Sequence, residues 1–235
     1  MNESLRPWEG VVGPEAAAER ASAFLRLVYW WMAVGLGVTA LVAFFVAGSP
    51  TLVNIFVGNR LVFFALVIGE LGLVFYLSGW VQRMTPGMAS GLFLLYSALN
   101  GITLSVILLA YTGESVATTF VVTAAMFGAL AFFGTVTRRS LAGAGQFFMM
   151  GLVGLILASV VGMFWHNDAL QFLISVVGVI VFTGLTAWDA QRLKQMGAAV
   201  PVGQGGALAV VGALSLYLDF VNLFLILLRF QGRRE

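Results

Sequence analysis

Seven separate stretches of about twenty apolar residues run along this chain, and few folds can accommodate them. A helix rising about 1.5 Å per residue needs roughly 20 such residues to cross a hydrocarbon core about 30 Å thick. The stretches are Leu27–Ala47, Leu61–Val81, Met88–Ala110, Val116–Val136, Phe147–Trp165, Ala169–Asp189 and Ala207–Leu228. Between them fall residues that stop or start helices: Gly48-Ser49-Pro50, Thr85-Pro86-Gly87, Thr112-Gly113-Glu114, Arg138-Arg139, His166-Asn167-Asp168, and the run from Gly197 to Gly206. Barrel strands would alternate apolar and polar residues over about ten positions, a pattern missing here. The sequence therefore predicts an all-α polytopic membrane protein with seven transmembrane helices.

Composition closes off other classes. Hydrophobic residues make up 60% of the 235 and charged residues 9%, where a soluble domain carries about a quarter charged. That excludes a soluble enzyme, and it excludes disorder, which needs low hydrophobicity and high charge. A net charge of +2 is too small to mark a nucleic-acid partner. With no cysteine, a disulfide framework, thiolate metal ligation and a thiol nucleophile all fall away. Lys194, the sole lysine, lies at the end of a span rather than inside one, where a Schiff base would need it. His166, the sole histidine, sits in a short turn and makes no metal cluster. There is no Walker glycine-lysine motif. The chain reads as a non-enzyme with no resident cofactor.

Residues 1–26 carry Glu3, Glu9, Glu15 and Glu19 with Arg6, Arg20 and Arg26, and lack the apolar core of a cleavable signal peptide. They form an N-terminal segment, in which Pro14 and Glu15–Arg20 read as a short helix on the membrane surface. Residues 27–229 form the transmembrane domain and residues 230–235 a short tail. Arg6, Arg20, Arg26, Arg83, Arg138, Arg139, Arg192 and Lys194 fall on the side of the N-terminus; Arg60, Arg229, Arg233 and Arg234 fall on the other. Positive-inside bias places the N-terminus in the cytoplasm and the C-terminus outside, though the C-terminal arginines pull the other way and suit a re-entrant last segment. Trp8, Trp30, Trp31, Trp80, Trp165 and Trp188 mostly approach span ends, as an interfacial belt does. Gly35, Gly37, Gly151 and Gly154 suit close helix packing.

Ionisable groups within hydrocarbon cost about 2.5–3.5 kcal/mol each on insertion scales, so they point to function. Glu70 lies near the middle of the second span, Asp189 at the end of the sixth in Thr186-Ala-Trp-Asp189-Ala-Gln191, and Asp219 inside the seventh in Ser215-Leu-Tyr-Leu-Asp219-Phe-Val-Asn222. If the sixth helix continues past the bilayer face to Met196, with Gly197 as its stop, antiparallel packing brings the two aspartates within about 8 Å along the axis. At hydrogen-bonding distance, burial and like charge both disfavour double ionisation, so the pair shares one proton and senses pH. Loss of that proton drives the helices apart or admits a cation between them. Two oxygen ligands suit transient calcium or a proton better than a soft transition metal. Arg83, on the same face as Asp189, is a candidate latch, and Glu70 with Arg229 a candidate intramembrane ion pair.

These segments resemble the transmembrane Bax inhibitor motif family, also called the Bax inhibitor-1 family, in its bacterial branch. Thr186-Ala-Trp-Asp189-Ala-Gln191-Arg-Leu-Lys194 is similar to the family's sixth-helix signature, and Ala213-Leu-Ser-Leu-Tyr-Leu-Asp219-Phe-Val-Asn222 through Arg229 to its seventh. Weaker similarity covers Asn100-Gly-Ile-Thr103-Leu and Phe24-Leu-Arg-Leu-Val-Tyr29. The resemblance implies a central last helix, Asp189 and Asp219 as a pH-sensing pair, Arg83 near the latching arginine, and Glu70 and Arg229 as a matched acid and base. It further implies passive, pH-dependent calcium leak, stress survival, a place in the bacterial plasma membrane, and contact with a membrane-bound quality-control protease. The expected state is a monomer or weak oligomer in the lipid bilayer.

Two other classes compete with a calcium-leak channel. An intramembrane aspartyl protease would also place aspartates on two late helices, but Asp219 lacks a glycine-rich approach and Asp189 follows a tryptophan. A non-conducting modulator of a membrane protease would need only a contact surface.

Overall fold

In the computed structural model, residues 13–165, 167–201 and 205–231 are described. Glu3, Arg6, Trp8, Glu9, His166, Arg233 and Arg234, which carried part of the topology and exclusion arguments, lie outside them. Every regular element among the described residues is helical: α1 (Pro14–Ala47), α2 (Pro50–Phe56), α3 (Arg60–Trp80), a 3-10 turn (Val81–Arg83), α4 (Pro86–Ala110), α5 (Gly113–Val136), α6 (Ala142–Phe164), α7 (Asp168–Ala199) and α8 (Gly205–Gln231). All but the short α2 and the 3-10 turn are long and apolar enough to cross a membrane, seven in all.

The turn chemistry sets most helix starts. Proline occupies the first turn of α1, α2 and α4, where its fixed φ suits a helix and its missing N–H costs nothing. Asn59 Oδ1 accepts from the Leu61 and Val62 amides at 3.1 and 3.3 Å. Thr85, Thr112 and Asn167 cap α4, α5 and α7 in the same manner. Each cap satisfies amides that a helix start leaves orphaned.

Two helix ends depart from the sequence reading. The segment from Pro14 is not a separate surface helix: α1 runs unbroken through residue 26 into the first span, because nothing between Pro14 and Gly35 interrupts a run of good helix formers. Likewise α7 passes through Gly197 and stops at Ala199, just ahead of Pro201, whose ring disfavours helix in the preceding residue. Gly197 is instead a contact, since a Cβ there would stand 2.7 Å from that of Phe24. At about 1.5 Å per residue, α1 and α7 span about 50 Å each. They overhang the bilayer together on the face that holds the α1 N-terminus.

The helices divide into a centre and a rim. Most of the apolar stretch of α8 is buried, whereas little of α3 or α6 is. Helix α8 packs on α1, α4, α5 and α7, whereas α3 leans mainly on α4 and α6 on α7. The last helix is therefore central, as the resemblance implies. Leu61, Phe64, Ile68 and Phe75 of α3 and Phe147, Met150, Val153 and Leu157 of α6 face outward, the surface that lipid covers. Close approach in the centre depends on glycine. A Cβ at Gly134 of α5 would run into the Ala187 carbonyl of α7, and one at Gly101 of α4 would stand 2.7 Å from the Thr39 carbonyl of α1. Of the four glycines singled out from sequence, Gly35 meets Phe93 and Gly151 meets Val181, while Gly37 and Gly154 face open space.

Candidate functional site

Asp189 lies ten residues before the end of α7 at Ala199, and Asp219 fourteen after the start of α8 at Gly205. At about 1.5 Å per residue they stand about 15 and 21 Å from the N-terminal face, an offset of little more than one helical turn. Glu70, ten residues before the end of α3, reaches a similar depth. All three carboxylates line one cavity of 970 Å³, without forming a three-ligand metal cluster among the described residues. Its floor comes from α7 and α8, and its walls include α3 and α6, which do not pack on each other.

The aspartates are buried, at 7% and 6% exposure. Asp189 Oδ1 and Asp219 Oδ2 accept no hydrogen bond; the former lies in ion contact with Arg192 Nη2 at 3.3 Å. The Arg192 guanidinium also sits 5.0 Å over the Trp188 ring, a cation–π contact that steadies it. Trp188 thus belongs to the cavity wall rather than to an interfacial belt. Buried oxygens left unpaired are costly. Here they are gathered where a proton or a cation would complete them.

Glu70 is held differently. Thr103 Oγ1 donates to its Oε1 at 3.0 Å, and Asn100 Nδ2 to its Oε2 at 3.4 Å. The same Asn100 amide donates to the Tyr96 hydroxyl at 3.2 Å, and the Tyr96 ring meets Tyr217 of α8 edge-on. The Tyr217 hydroxyl bonds Thr39 Oγ1 at 2.6 Å, and Thr39 donates to the Ser97 carbonyl at 2.9 Å. Since the Thr39 proton goes to Ser97, Tyr217 is the donor to Thr39. A continuous polar and aromatic seam thus ties α3, α4, α8 and α1 together.

Two sequence-based pairings are not made. Arg229 occupies the last turn of α8 and is exposed, while Glu70 sits mid-helix in α3. More than two turns of rise separate them, and Glu70 takes neutral donors from α4 instead. Arg83 ends the exposed 3-10 turn and lies outside the cavity lining. The cation beside Asp189 is Arg192, one turn along the same helix.

Comparison with known proteins agrees with this architecture. A family model described as "Inhibitor of apoptosis-promoting Bax1" matches residues 21–235. The chain belongs to the Bax inhibitor-1 family. The inner membrane protein YbhL of Escherichia coli K12 is 44% identical over 230 residues, covering 97% of each chain. A protein of Borreliella burgdorferi is 42% identical over 90% of this chain and 92% of its own. An uncharacterised membrane protein of Streptococcus pyogenes serotype M6 is 37% identical over 90% and 93%. The family assignment covers both aspartates, Glu70 and the capping turns alike.

Sequence reasoning in this family member overlooked Arg192, although its spacing of three from Asp189 is a standard helical ion-pair signal. It also passed over Tyr217 and Thr39, whose hydroxyls are 178 positions apart in sequence and carry no local pattern. Asn100 and Thr103 entered only as part of a motif; their shared helix face is what turns them toward Glu70.

Proposed function

We propose that this chain is a pH-sensitive calcium-leak channel of the bacterial plasma membrane, gated by protonation of Asp189 and Asp219. The reading rests chiefly on two buried carboxylates that line one cavity, each with an oxygen that accepts no hydrogen bond, one of them in ion contact with Arg192. With one proton between them, two close carboxylates attract and the helices carrying them stay together. With none, they repel each other and bind a hard cation through oxygen, the chemistry calcium prefers. Arg192 supplies the counter-charge in the cation-free state, the latch role that sequence gave to Arg83. Because α3 leans mainly on α4 and α6 on α7, either can move without dismantling the central packing.

The N-terminus is assigned to the cytoplasm. Among the described residues Arg20, Arg26, Arg83, Arg138, Arg139, Arg192 and Lys194 belong to the face of the α1 N-terminus, against Arg60 and Arg229 on the other. The Escherichia coli relative's name places that protein in the inner membrane.

Calcium flux through the purified chain in proteoliposomes, from about pH 5 to 8, tests the reading. The wild type should conduct with a pH-dependent rate, and Asp189→Asn with Asp219→Asn should flatten that dependence. A folded wild type that passes no calcium would sink the channel. It would leave contact with a membrane protein, such as a quality-control protease, as the working role.

A further inference from the structure

A second cavity, of 330 Å³, opens on the N-terminal face, away from the carboxylates. It lies between the first turns of α1, the turn joining α5 to α6, and the overhanging end of α7. Arg138, Arg139 and Lys194 all line it. Its α1 wall is built of Ala17, Ala18 and Ala21, and the nearby Glu15 and Glu19 are not part of the lining. Among the described residues none of the three cations has an ion-pair partner.

The recess is built rather than incidental. Gln191, 7% exposed, sits at its base and holds the α5–α6 turn at two points. Its Nε2 donates to the Arg139 carbonyl at 2.9 Å, and its Oε1 accepts from the Leu141 amide at 2.8 Å. Lys194 Nζ donates to the Thr135 carbonyl at 2.7 Å. Backbone from α5 and α6 is thereby pinned to α7, and the turn bearing both arginines is set before any ligand arrives. Preorganised donors lose less entropy on binding.

We propose that this recess binds a phosphate group, such as that of an anionic membrane lipid. Arginine offers planar, paired donors that match phosphate oxygens, and lysine adds a point charge. The α5–α6 turn lies where two spans end, the depth of lipid headgroups, and basic residues near an anionic leaflet are drawn to its surface. The alanine wall leaves room beside the cations and brings no competing carboxylate. A free phosphate would satisfy the same donors without the membrane.

Native mass spectrometry of the full chain in detergent, titrated with phosphatidylglycerol or phosphatidylcholine, tests the site. Phosphatidylglycerol should bind about tenfold more tightly, the ratio expected when one to two cations are relieved of the choline cation that offsets the phosphate of phosphatidylcholine. Arg138→Gln with Arg139→Gln should erase that preference, and Lys194→Gln alone should reduce it about threefold. Arg60→Gln, on the opposite face, should retain it. Adding inorganic phosphate separates the sources: displacement of the lipid shows that free phosphate is accepted, and persistence shows that the lipid headgroup is the ligand. Equal binding of the two lipids with no binding of phosphate, or an equal loss in Arg60→Gln, overturns the site. Because Arg138 and Arg139 are exposed, the double variant should unfold at the wild-type temperature. If it does not, the Lys194→Gln titration decides.

Discussion

Glu70 and the aspartate pair occupy one cavity at similar depth, yet their surroundings differ. Glu70 receives donors on both oxygens from α4. Asp219 keeps an oxygen that accepts no hydrogen bond, and the matching oxygen of Asp189 has only the ion contact with Arg192 on its own helix. Identical chemistry therefore serves two purposes. A carboxylate whose acceptors are filled ties helices together; one whose acceptors are empty remains available to protons and cations.

The sharpest break of that comparison is to remove charge from each. Asp189→Asn with Asp219→Asn should flatten the pH dependence of calcium flux, whereas Glu70→Gln should leave its midpoint in place. A shifted midpoint in Glu70→Gln would merge the two sites into one titrating unit. Next in size, Gly134→Val should lower stability by about 1–3 kcal/mol through overpacking against α7, read as a lower thermal midpoint in detergent. Since Ala187 neighbours Asp189, flux should fall as well.

Leaving Glu70 without its donors is the complementary test. Asn100→Leu with Thr103→Val should cost about 1–3 kcal/mol, the cost of a buried acceptor left unpaired, measured by thermal or denaturant unfolding. Glu70→Gln should cost less, because an amide oxygen still accepts from Thr103. Arg192→Gln should change flux amplitude while Arg83→Gln leaves it unaltered; the reverse result would restore the latch to the 3-10 turn. The smallest effect belongs to Thr39→Val, at about 1 kcal/mol for one hydrogen bond with Tyr217, and flux should be unchanged.

Much of this was legible before any coordinates. Seven apolar runs of near-bilayer length dictate seven helices, because a backbone in hydrocarbon must satisfy itself within each segment. Prolines and capping side chains at Ser49, Thr85, Thr112 and Asn167 mark the starts by local chemistry. The cost of burying a charge picks out Glu70, Asp189 and Asp219 from their places in the apolar spans. Helix ends were less legible: α1 reaches back to Pro14 without a break because helix propensity continues where hydrophobicity stops, and α7, whose run past its apolar span was expected, ends at Ala199 rather than at Gly197.

Partner choice is what the tertiary structure decided. That Glu70 takes Asn100 and Thr103 rather than Arg229, that Arg83 stands outside the cavity of Asp189, and that Gln191 clamps the α5–α6 turn all depend on which helix faces which. Hydropathy carries depth in the membrane, a one-dimensional quantity. Rotation and neighbour identity arise from packing at sites such as Gly134 against Ala187, where shape rather than polarity selects the contact.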